Sequence, residues 1–399
     1  MITVGEAEQI ILSHRRDYGV EAVPFLAAQG RVLAESVAAD RDLPPYDRVT
    51  MDGIAICYAD YEAGCRTFRI VATQGAGDTP LTDVAAGACL EIMTGAGLSS
   101  VTDTVIPYEN LCIADGMASI MEEPVQKRQN IHLQGRDRRQ GETVITAGQI
   151  IGPTQINMAA AVGKAGLLVK KLPRVVILSS GDELVDVHDV PLPYQIRRSN
   201  NYSTHAVLRQ YGIEAWMLHL PDNLHAIQQE VARCQLEFDV ILLSGGVSMG
   251  KFDYIPQALQ ATGVQMHFHK VRQRPGKPLW FGTFGEQGVV FALPGNPVST
   301  FLCLHRYVLP WLEASLGFPP APPGFAMLEK SVRFEAPLLY FIQVKLKQDQ
   351  EARVWAEPLE GHGSGDFANL LDTDAFLELP LERTDFLAGE VFRVVRFRR

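Results

Sequence analysis

The sequence contains no Cys-x-x-Cys pair, and its six cysteines are scattered through 399 residues. Structural zinc sites and small disulfide frameworks need closely spaced thiols, so we predict free thiols in a reducing cytoplasm instead. No apolar run is long enough to cross a bilayer, and the N-terminus lacks the character of a signal peptide. These absences predict a cytoplasmic protein with no membrane partner.

Positive charge is also scarce, because 36 Lys and Arg stand against 46 Asp and Glu, a formal net charge of −10. This disfavours a general nucleic-acid surface but leaves room for a local basic pocket. Walker A, GxGxxG and GxSxG patterns are missing, so kinases, dinucleotide oxidoreductases and α/β-hydrolases lack their signatures. The 47% of hydrophobic residues and the length are typical of a well-cored soluble protein of two to three domains.

The first part of the chain is predicted to be an elongated helical segment formed by residues 1–43 and 142–172. Thr3 and Glu6 have the spacing of a capping box, which predicts a helix at the start of the chain. A second helix is predicted over residues 25–39, after which two prolines mark a boundary.

Two further parts have the character of small β domains, residues 44–141 and residues 323–399. In the first, short apolar runs are separated by glycine and polar clusters. In the second, apolar and polar residues alternate after a stiff proline-rich linker, which predicts a small barrel. Within the first β domain, Asp52 precedes a flexible glycine and Thr94 ends a strand, although each residue alone is typical of an ordinary turn.

Residues 173–322 alternate apolar runs with helical patterns, which predicts a three-layer α/β domain with a parallel sheet and helices on both faces. The chain as a whole is therefore predicted to be a multidomain α/β plus β protein. Residues 240–243 form a wholly apolar run, as in a strand buried on both faces. The run stops at two glycines that let backbone N–H groups approach a ligand. Alone, this loop fits an ordinary turn equally well.

Small residues and hydroxyls follow three predicted strands of this domain. The segments are 180–183 (SGDE), 244–248 (SGGVS) and 294–297 (PGNP), and the last leads directly into a helix. Ligands of open α/β sheets bind beyond the carboxyl ends of the strands, where backbone N–H groups and helix N-termini attract anions. The sequence therefore predicts an anion pocket at this edge of the sheet.

Fixed charges accompany the predicted pocket. Lys270, Arg274 and Lys277 would bind a phosphate or an oxyanion. Carboxylates would hold Mg²⁺ or polarise water, and the candidates are Asp182, Glu183, Asp222 and Asp253. Asp222 is also predicted to cap the helix that follows it. His267 and His269 share one face of a predicted strand, where a structural role is favoured over a metal site.

Seven motifs, in this order, resemble those of the molybdopterin molybdenumtransferases, the MoeA-type enzymes related to the E domain of gephyrin. The motifs are MDG (51–53), IMTGA (92–96), SSGDEL (179–184), SN (199–200), SGGVSMGKFD (244–253), RPGKP (274–278) and LPGNPVS (293–299). The resemblance covers essentially the whole chain and includes residues 361–380. It implies that the α/β domain is of the MoaB/Mog-like molybdopterin-binding type.

The resemblance implies an enzyme that inserts molybdate into adenylylated molybdopterin and releases AMP with the help of Mg²⁺. This is the final step of molybdenum cofactor biosynthesis, and either water or a molybdate oxygen attacks the phosphoanhydride. A homodimer is implied, in which the β domain of the partner subunit completes the site. The further partners are molybdopterin adenylyltransferase and the recipient molybdoenzymes.

The resemblance also assigns roles to individual residues. The catalytic set is Asp52, Thr94, Asp137, Asp182, Glu183, Lys270 and Lys277, with Asp182 and Glu183 as metal ligands. The set that binds molybdopterin and its phosphates is Ser180, Gly181, Asn200, Asp222, Ser244, Gly245, Gly246, Ser248, Asp253, Arg274, Pro294, Gly295, Asn296, Pro297 and Ser364.

The chain departs from the family pattern at three single positions and in one short run. Arg198 and Val49 stand where the family has Asp and Ser, residues 132–136 replace a basic-then-acidic run, and Leu338 occupies an Arg position associated with molybdate. We prefer the hypothesis of a divergent but active transferase. The alternatives are a paralogue that binds the pterin without inserting metal and an unrelated α/β enzyme that binds sugar nucleotides or phosphates.

Overall fold

The computed structural model describes residues 1–247, 254–359, 363 and 365–398. The chain folds as two compact units. The first contains Met1–Ala34, Gly148–Gly152 and Gly166–Arg399, and the second contains Glu35–Ala147 and Pro153–Ala165. None of the helices within the described residues combines the length and the apolar character that a bilayer crossing needs.

The first unit is built on a mixed six-stranded sheet. In spatial order its strands are Trp216–Leu220, Val175–Ser180, Val240–Ser244, Gly288–Leu293, Trp280–Phe284 and Gln265–His269. The first four are parallel, as predicted, whereas the last two are antiparallel to their neighbours, so the prediction of a parallel sheet is wrong there. For Trp280–Phe284 and Gly288–Leu293 the cause is connection length, because residues 285–287 form a short turn that can join only antiparallel strands.

Helices cover both faces of this sheet, which confirms the predicted three layers. They are Ser199–Arg209, Leu224–Glu237, Ile255–Ala261, Pro297–Cys303 and Leu309–Ser315, with a π-helical turn at Leu304–Val308 between the last two. Alternate strand residues enter opposite cores, since Ile177 packs with Tyr307 whereas Val176 packs with Val231. Both faces of the strands are therefore buried, which explains their continuous apolar sequences.

The predicted N-terminal helix is confirmed as Val4–Ser13, and Thr3 and Glu6 form the capping box. The second predicted helix, over residues 25–39, is wrong, and the elongated helical N-terminal segment is not confirmed, although Pro153–Ala161 does form a helix. The strand Val20–Pro24 precedes residues 25–39, which themselves contain one 3₁₀ turn, Phe25–Ala28, and later a short strand, Val37–Ala38.

Tertiary pairing explains this failure. Val20–Pro24 pairs with Gly166–Lys170, and the backbone of Val32 and Leu33 bridges to residues 150 and 169. Both side chains are buried by these bridges. Long-range pairing therefore overrides the helix propensity of the local alanines.

The C-terminal part of the first unit is a closed ring of strands. In order they are Leu339–Gln348, Val354–Pro358, Gly324–Leu328, Val391–Arg396 and Ala375–Leu379, and the last pairs again with the first. A two-residue strand of the α/β domain, Gln273–Arg274, joins the open side of Leu339–Gln348 in parallel register. The basic loop of the α/β domain is thus fastened to this barrel.

The second unit contains its own six-stranded sheet. In spatial order its strands are Thr104–Pro107, Gly53–Ile56, Ala88–Ile92, Thr67–Gln74, Met117–Ile120 and Leu111–Ala114. Asp52 lies immediately before one central strand, and Thr94 follows another at the same end of the sheet, because Gly53 pairs with Ile92.

Candidate active site

The carboxyl ends of three neighbouring strands meet at one edge of the mixed sheet. Ser179 is the register partner of Ser244, and Ser244 is the partner of Leu293. The three segments that follow these strands therefore lie side by side. The structure thus brings together the serines and glycines that the sequence analysis placed at strand ends.

A cavity of about 560 Å³ opens at this edge. The strand-end segments contribute Ser180, Gly181, Glu183, Asp222, Gly245, Gly246, Pro294, Gly295 and Asn296. The loop 273–278 forms a second wall, and the barrel contributes Leu338, Tyr340, Phe341, Gln343 and Leu359. This volume is in the range of sites that bind small molecules and cofactors.

Close backbone approach requires glycine at position 245. Its φ is +97°, and a Cβ there would lie 2.9 Å from the carbonyl oxygen of Ser180. The Gly245 N–H donates to the carbonyl of Leu293 over 3.2 Å. The loop is therefore pressed between the two adjacent strand ends, which shapes the floor of the cavity.

The acidic corner of the cavity is internally hydrogen-bonded. The Ser180 hydroxyl donates to Asp222 Oδ1 over 2.7 Å. The Asp222 N–H donates to Asp182 Oδ1 over 3.1 Å, while the Asp182 N–H lies 3.4 Å from Asp222 Oδ2. Asp222 therefore braces this corner, and the prediction that it caps the next helix is wrong. That cap is Asn223, whose side chain accepts from the Ala226 N–H.

The donor set of this corner fits a magnesium ion that arrives with a phosphorylated ligand. Among the described residues, no group of three or more His, Cys, Asp or Glu side chains forms a ready-made metal site. Mg²⁺ is usually bound by one or two carboxylates, with waters and substrate phosphates completing the octahedron. Asp182 and Glu183 are exposed and adjacent, so they can supply those carboxylates.

The wall formed by the loop 273–278 is positively charged. Lys277 is exposed, and the Arg274 guanidinium lies 5.8 Å from the centroid of the Phe334 ring, which stacks on Tyr340. The ion pairs formed among the described residues include neither of these two cations. The lining of the cavity, within the same residues, does not include Lys270, whose backbone φ is +74°.

Asn200 acts as a brace behind the cavity. Its amide nitrogen lies 3.0 Å from the Ser244 hydroxyl and 2.8 Å from the carbonyl of Gly295, and it also approaches Thr300 Oγ1. Pro297 begins the helix that carries Thr300. Asn200, Ser244 and Pro297 thus hold the strand-end segments together, whereas the cavity wall itself is formed by their neighbours.

The three remaining residues of the predicted catalytic set lie in the second unit. Asp52 Oδ1 accepts the Thr94 N–H over 2.6 Å, and this hydrogen bond lowers the pKa of Asp52. Asp137 Oδ1 lies 2.8 Å from His132 Nε2, while His132 Nδ1 lies 3.2 Å from the Arg48 guanidinium. A guanidinium can only donate, so Nδ1 is the acceptor and Nε2 carries the proton toward Asp137.

Three predicted site residues lie outside the described residues, namely Ser248, Asp253 and Ser364. His267 and His269 are hydrogen-bonded to Thr283 and to the carbonyl of Val247, which supports the structural role. Gln273 and the aromatic lining residues Tyr340 and Phe341 were not predicted from the sequence, because only the tertiary pairing of loop and barrel brings them to the cavity. The position of Gln273 directly before RPGKP was the one available signal.

Comparison with known proteins shows similarity along the whole chain. The family models that match describe the MoeA N-terminal region (domain I and II) over residues 2–163, a probable molybdopterin binding domain over 176–314, and the MoeA C-terminal region (domain IV) over 326–397. A molybdopterin molybdenumtransferase from Synechocystis sp. is 39% identical over 396 residues, which cover 98% of this chain and 99% of that protein.

Two further proteins extend the comparison. A molybdopterin molybdenumtransferase from Synechococcus elongatus is 35% identical, with 93% of this chain and 92% of that protein covered. The crystal structure of a molybdopterin biosynthesis MoeA protein from Pyrococcus horikoshii matches over 100% of both chains with a TM-score of 0.85 and 26% identity. The similarity therefore includes both units.

Proposed function

The chain belongs to the molybdopterin molybdenumtransferase family, transferases of molybdenum cofactor biosynthesis, and we propose that it inserts molybdate into adenylylated molybdopterin with release of AMP. The observation that carries this proposal is the cavity at the strand ends. One wall presents Arg274 and Lys277, and the acidic corner presents Glu183 and Asp222, to which Asp182 is hydrogen-bonded. A ligand with two phosphates and an associated divalent cation matches both walls.

The cationic wall would bind and orient the phosphates. A guanidinium donates two parallel hydrogen bonds to phosphate oxygens, and a lysine adds a compact positive charge. Arg274 and Lys277 would therefore stabilise the charge that develops on AMP as the phosphoanhydride bond breaks. The bond is attacked by an oxygen of water or of molybdate, and the dithiolene sulfurs then receive the metal.

The acidic corner would act on the same phosphoanhydride bond. Asp182 and Glu183 would hold Mg²⁺, which neutralises phosphate charge and polarises the anhydride when it is bound. Asp222 keeps this corner in place through its contacts with Ser180 and with the Asp182 backbone. The exposed carboxylate of Asp182 thus stays oriented without a ligand.

A homodimer is part of the proposal, with Asp52, Thr94 and Asp137 reaching the cavity of the partner subunit. In support, all three side chains are exposed, as contact with another molecule requires. Molybdopterin adenylyltransferase would supply the substrate and molybdoenzymes would accept the product, in the cytoplasm. The subunit would divide into the α/β domain 173–322, the β domains 44–141 and 323–399, and the N-terminal part formed by 1–43 and 142–172.

A reconstituted reaction tests the proposal. Purified protein with adenylylated molybdopterin, Mg²⁺ and molybdate is expected to release one AMP per pterin, measured by chromatography. The product is expected to activate an apo-molybdoenzyme. Absence of AMP release from folded protein under these conditions contradicts the proposal.

A pterin-binding protein that does not insert metal is the second candidate. Leu338 favours it, because this apolar side chain lines the cavity at the position where the family pattern has Arg. Elemental analysis of the bound pterin separates the two candidates. Molybdenum bound in stoichiometric amount identifies the transferase, whereas tightly bound pterin without molybdenum identifies the carrier.

A further inference from the structure

Gln273 is a buried amide at the base of the cationic loop. Its side chain is 0% exposed, yet it borders the cavity directly before Arg274. Its Oε1 accepts a hydrogen bond from the Tyr307 hydroxyl, and its Nε2 lies 3.6 Å from Cys303 Sγ. A buried polar side chain with partners on both ends is held in one orientation.

The partners come from the helical segment on the other side of the loop. Cys303 ends Pro297–Cys303, and Tyr307 lies in the π-helical turn Leu304–Val308. Burial raises the pKa of the Tyr307 hydroxyl, so this group remains protonated and donates to Gln273 Oε1. The Gln273 amide nitrogen is therefore directed at Cys303 and at the loop.

The loop packs closely against the side chains of Gln273 and Cys303. A Cβ on Gly276 would lie 2.6 Å from Gln273 Nε2 and 2.7 Å from Cys303 Sγ, and the φ of Gly276 is +85°. Cys303 Sγ also lies 3.8 Å from the Gly276 carbonyl. Gly276 is separated from Arg274 by one residue and adjoins Lys277, so the contact sets the path of the chain between the two cations.

We infer that Gln273, Tyr307 and Cys303 are positioning residues, which set the separation of the Arg274 and Lys277 side chains and thereby the fit of the cavity to a diphosphate ligand. The inference rests on the proposed function for the identity of the ligand. The geometry of the loop can be measured independently of it. A loss of the network moves the cations without removing their charge.

Paired substitutions separate positioning from simple stability. Tyr307→Phe leaves a buried acceptor without its donor, and Gln273→Met leaves the tyrosine hydroxyl without its acceptor, so each single variant is expected to melt at a lower temperature. The double variant removes both polar groups and is expected to regain most of the melting temperature. Its KM for adenylylated molybdopterin is nevertheless expected to stay about tenfold high, the size of one lost hydrogen bond to a charged group. Its kcat is expected to fall as well, because the displaced cations also face the charge that develops on AMP.

Tyr211→Phe is the matched control, because the Tyr211 hydroxyl donates to Glu313 over 2.6 Å outside the cavity. It is expected to lower the melting temperature without changing KM. AMP binding, measured by calorimetry, gives a second readout and is expected to weaken about tenfold in the double variant only. A double variant with restored melting temperature and wild-type KM and AMP affinity overturns the inference.

The proposed function is tested separately by the wild-type protein. If the wild-type protein neither binds AMP nor releases it from the substrate, the proposed function fails and amide hydrogen exchange over residues 274–279 decides the inference. Faster exchange in the double variant than in the wild-type protein supports the positioning role. Equal exchange rejects it.

Discussion

The acidic residues of the two units are held in different ways. At the strand ends of the first unit, Asp182 and Asp222 are joined to each other, while the cations of the facing wall have no carboxylate partner among the described residues. In the second unit, Asp52 and Asp137 are each fixed by one neighbour on an exposed turn. In the first arrangement the positive charge of the loop has no acidic partner among the described residues, whereas in the second the carboxylates are oriented and exposed.

Of the changes considered for the two units, removal of one cation from the cavity wall is expected to have the largest effect on activity. Lys277→Ala is expected to lower kcat/KM for adenylylated molybdopterin by about 100-fold, because the loss of one preorganised donor to developing charge costs that much. The change is measured as the rate of AMP release. Thermal unfolding is expected to be unchanged, because Lys277 is exposed.

The control for this change is Lys345→Ala, which removes an equally exposed lysine from the barrel strand Leu339–Gln348. It alters the net charge by the same amount and is expected to leave kcat/KM unchanged. Equal losses in both variants would show that the overall charge, and not the wall of the cavity, attracts the substrate.

Mild acid is expected to weaken the first unit selectively. Burial lowers the pKa of His305 to about 4, and burial also lowers the pKa of His219 and His267. The unfolded chain takes up these protons near pH 6.5, so stability is complete above that pH and falls as the pH drops toward 4. Between pH 7 and pH 5, His305 alone is expected to account for about 2 kcal/mol of this loss.

Urea denaturation at pH 7 and pH 5, followed by tryptophan fluorescence, measures this loss, because all four tryptophans lie in the first unit. His305→Gln is expected to flatten the pH dependence. The second unit is expected to respond only at lower pH, since the lowered pKa of Asp52 stabilises it until that carboxylate is protonated, below about pH 4. If the free energy of unfolding of His305→Gln changes with pH as steeply as that of the wild-type protein, the pH dependence does not come from His305.

The smallest expected effect concerns His132 in the second unit. His132→Ala removes the donor that orients Asp137 and is expected to lower kcat about fivefold, which corresponds to one hydrogen bond of about 1 kcal/mol. His132→Gln keeps an acceptor for Arg48 and a donor for Asp137, so its activity is expected to recover.

His225→Ala is the matched control, since His225 is exposed and contacts only Gln229 among the hydrogen bonds of its side chain in the described residues. It is expected to leave kcat unchanged. If His132→Gln is as impaired as His132→Ala, then Asp137 does not depend on the orientation that His132 provides.

The strand ends were predictable because their signals are local. An apolar run that stops at Ser-Gly-Gly indicates a buried strand and a tight loop without reference to the rest of the chain. In parallel neighbours, such ends necessarily share one edge, as Ser179, Ser244 and Leu293 do. The position of the cavity followed from this rule.

The wall that faces those strand ends was less predictable. Gln273 and Tyr307 are 34 residues apart, and no local pattern indicates that a buried amide needs this hydroxyl. The pairing of Arg274 with Tyr340 likewise depends on how the barrel closes. The helix prediction for residues 25–39 was wrong for a related reason. Distant strands, and not the local alanines, determine the backbone conformation there.

The strand Gln273–Arg274 also links the cavity to the energetics of the barrel. Its pairing with Leu339–Gln348 gives one residue, Arg274, both a ligand-facing side chain and a backbone in the barrel ladder. A ligand that binds only the intact loop therefore adds its binding free energy to the folding of the barrel. The C-terminal strands contribute few polar groups to the cavity. Their free energy of unfolding nevertheless depends on whether a ligand occupies it.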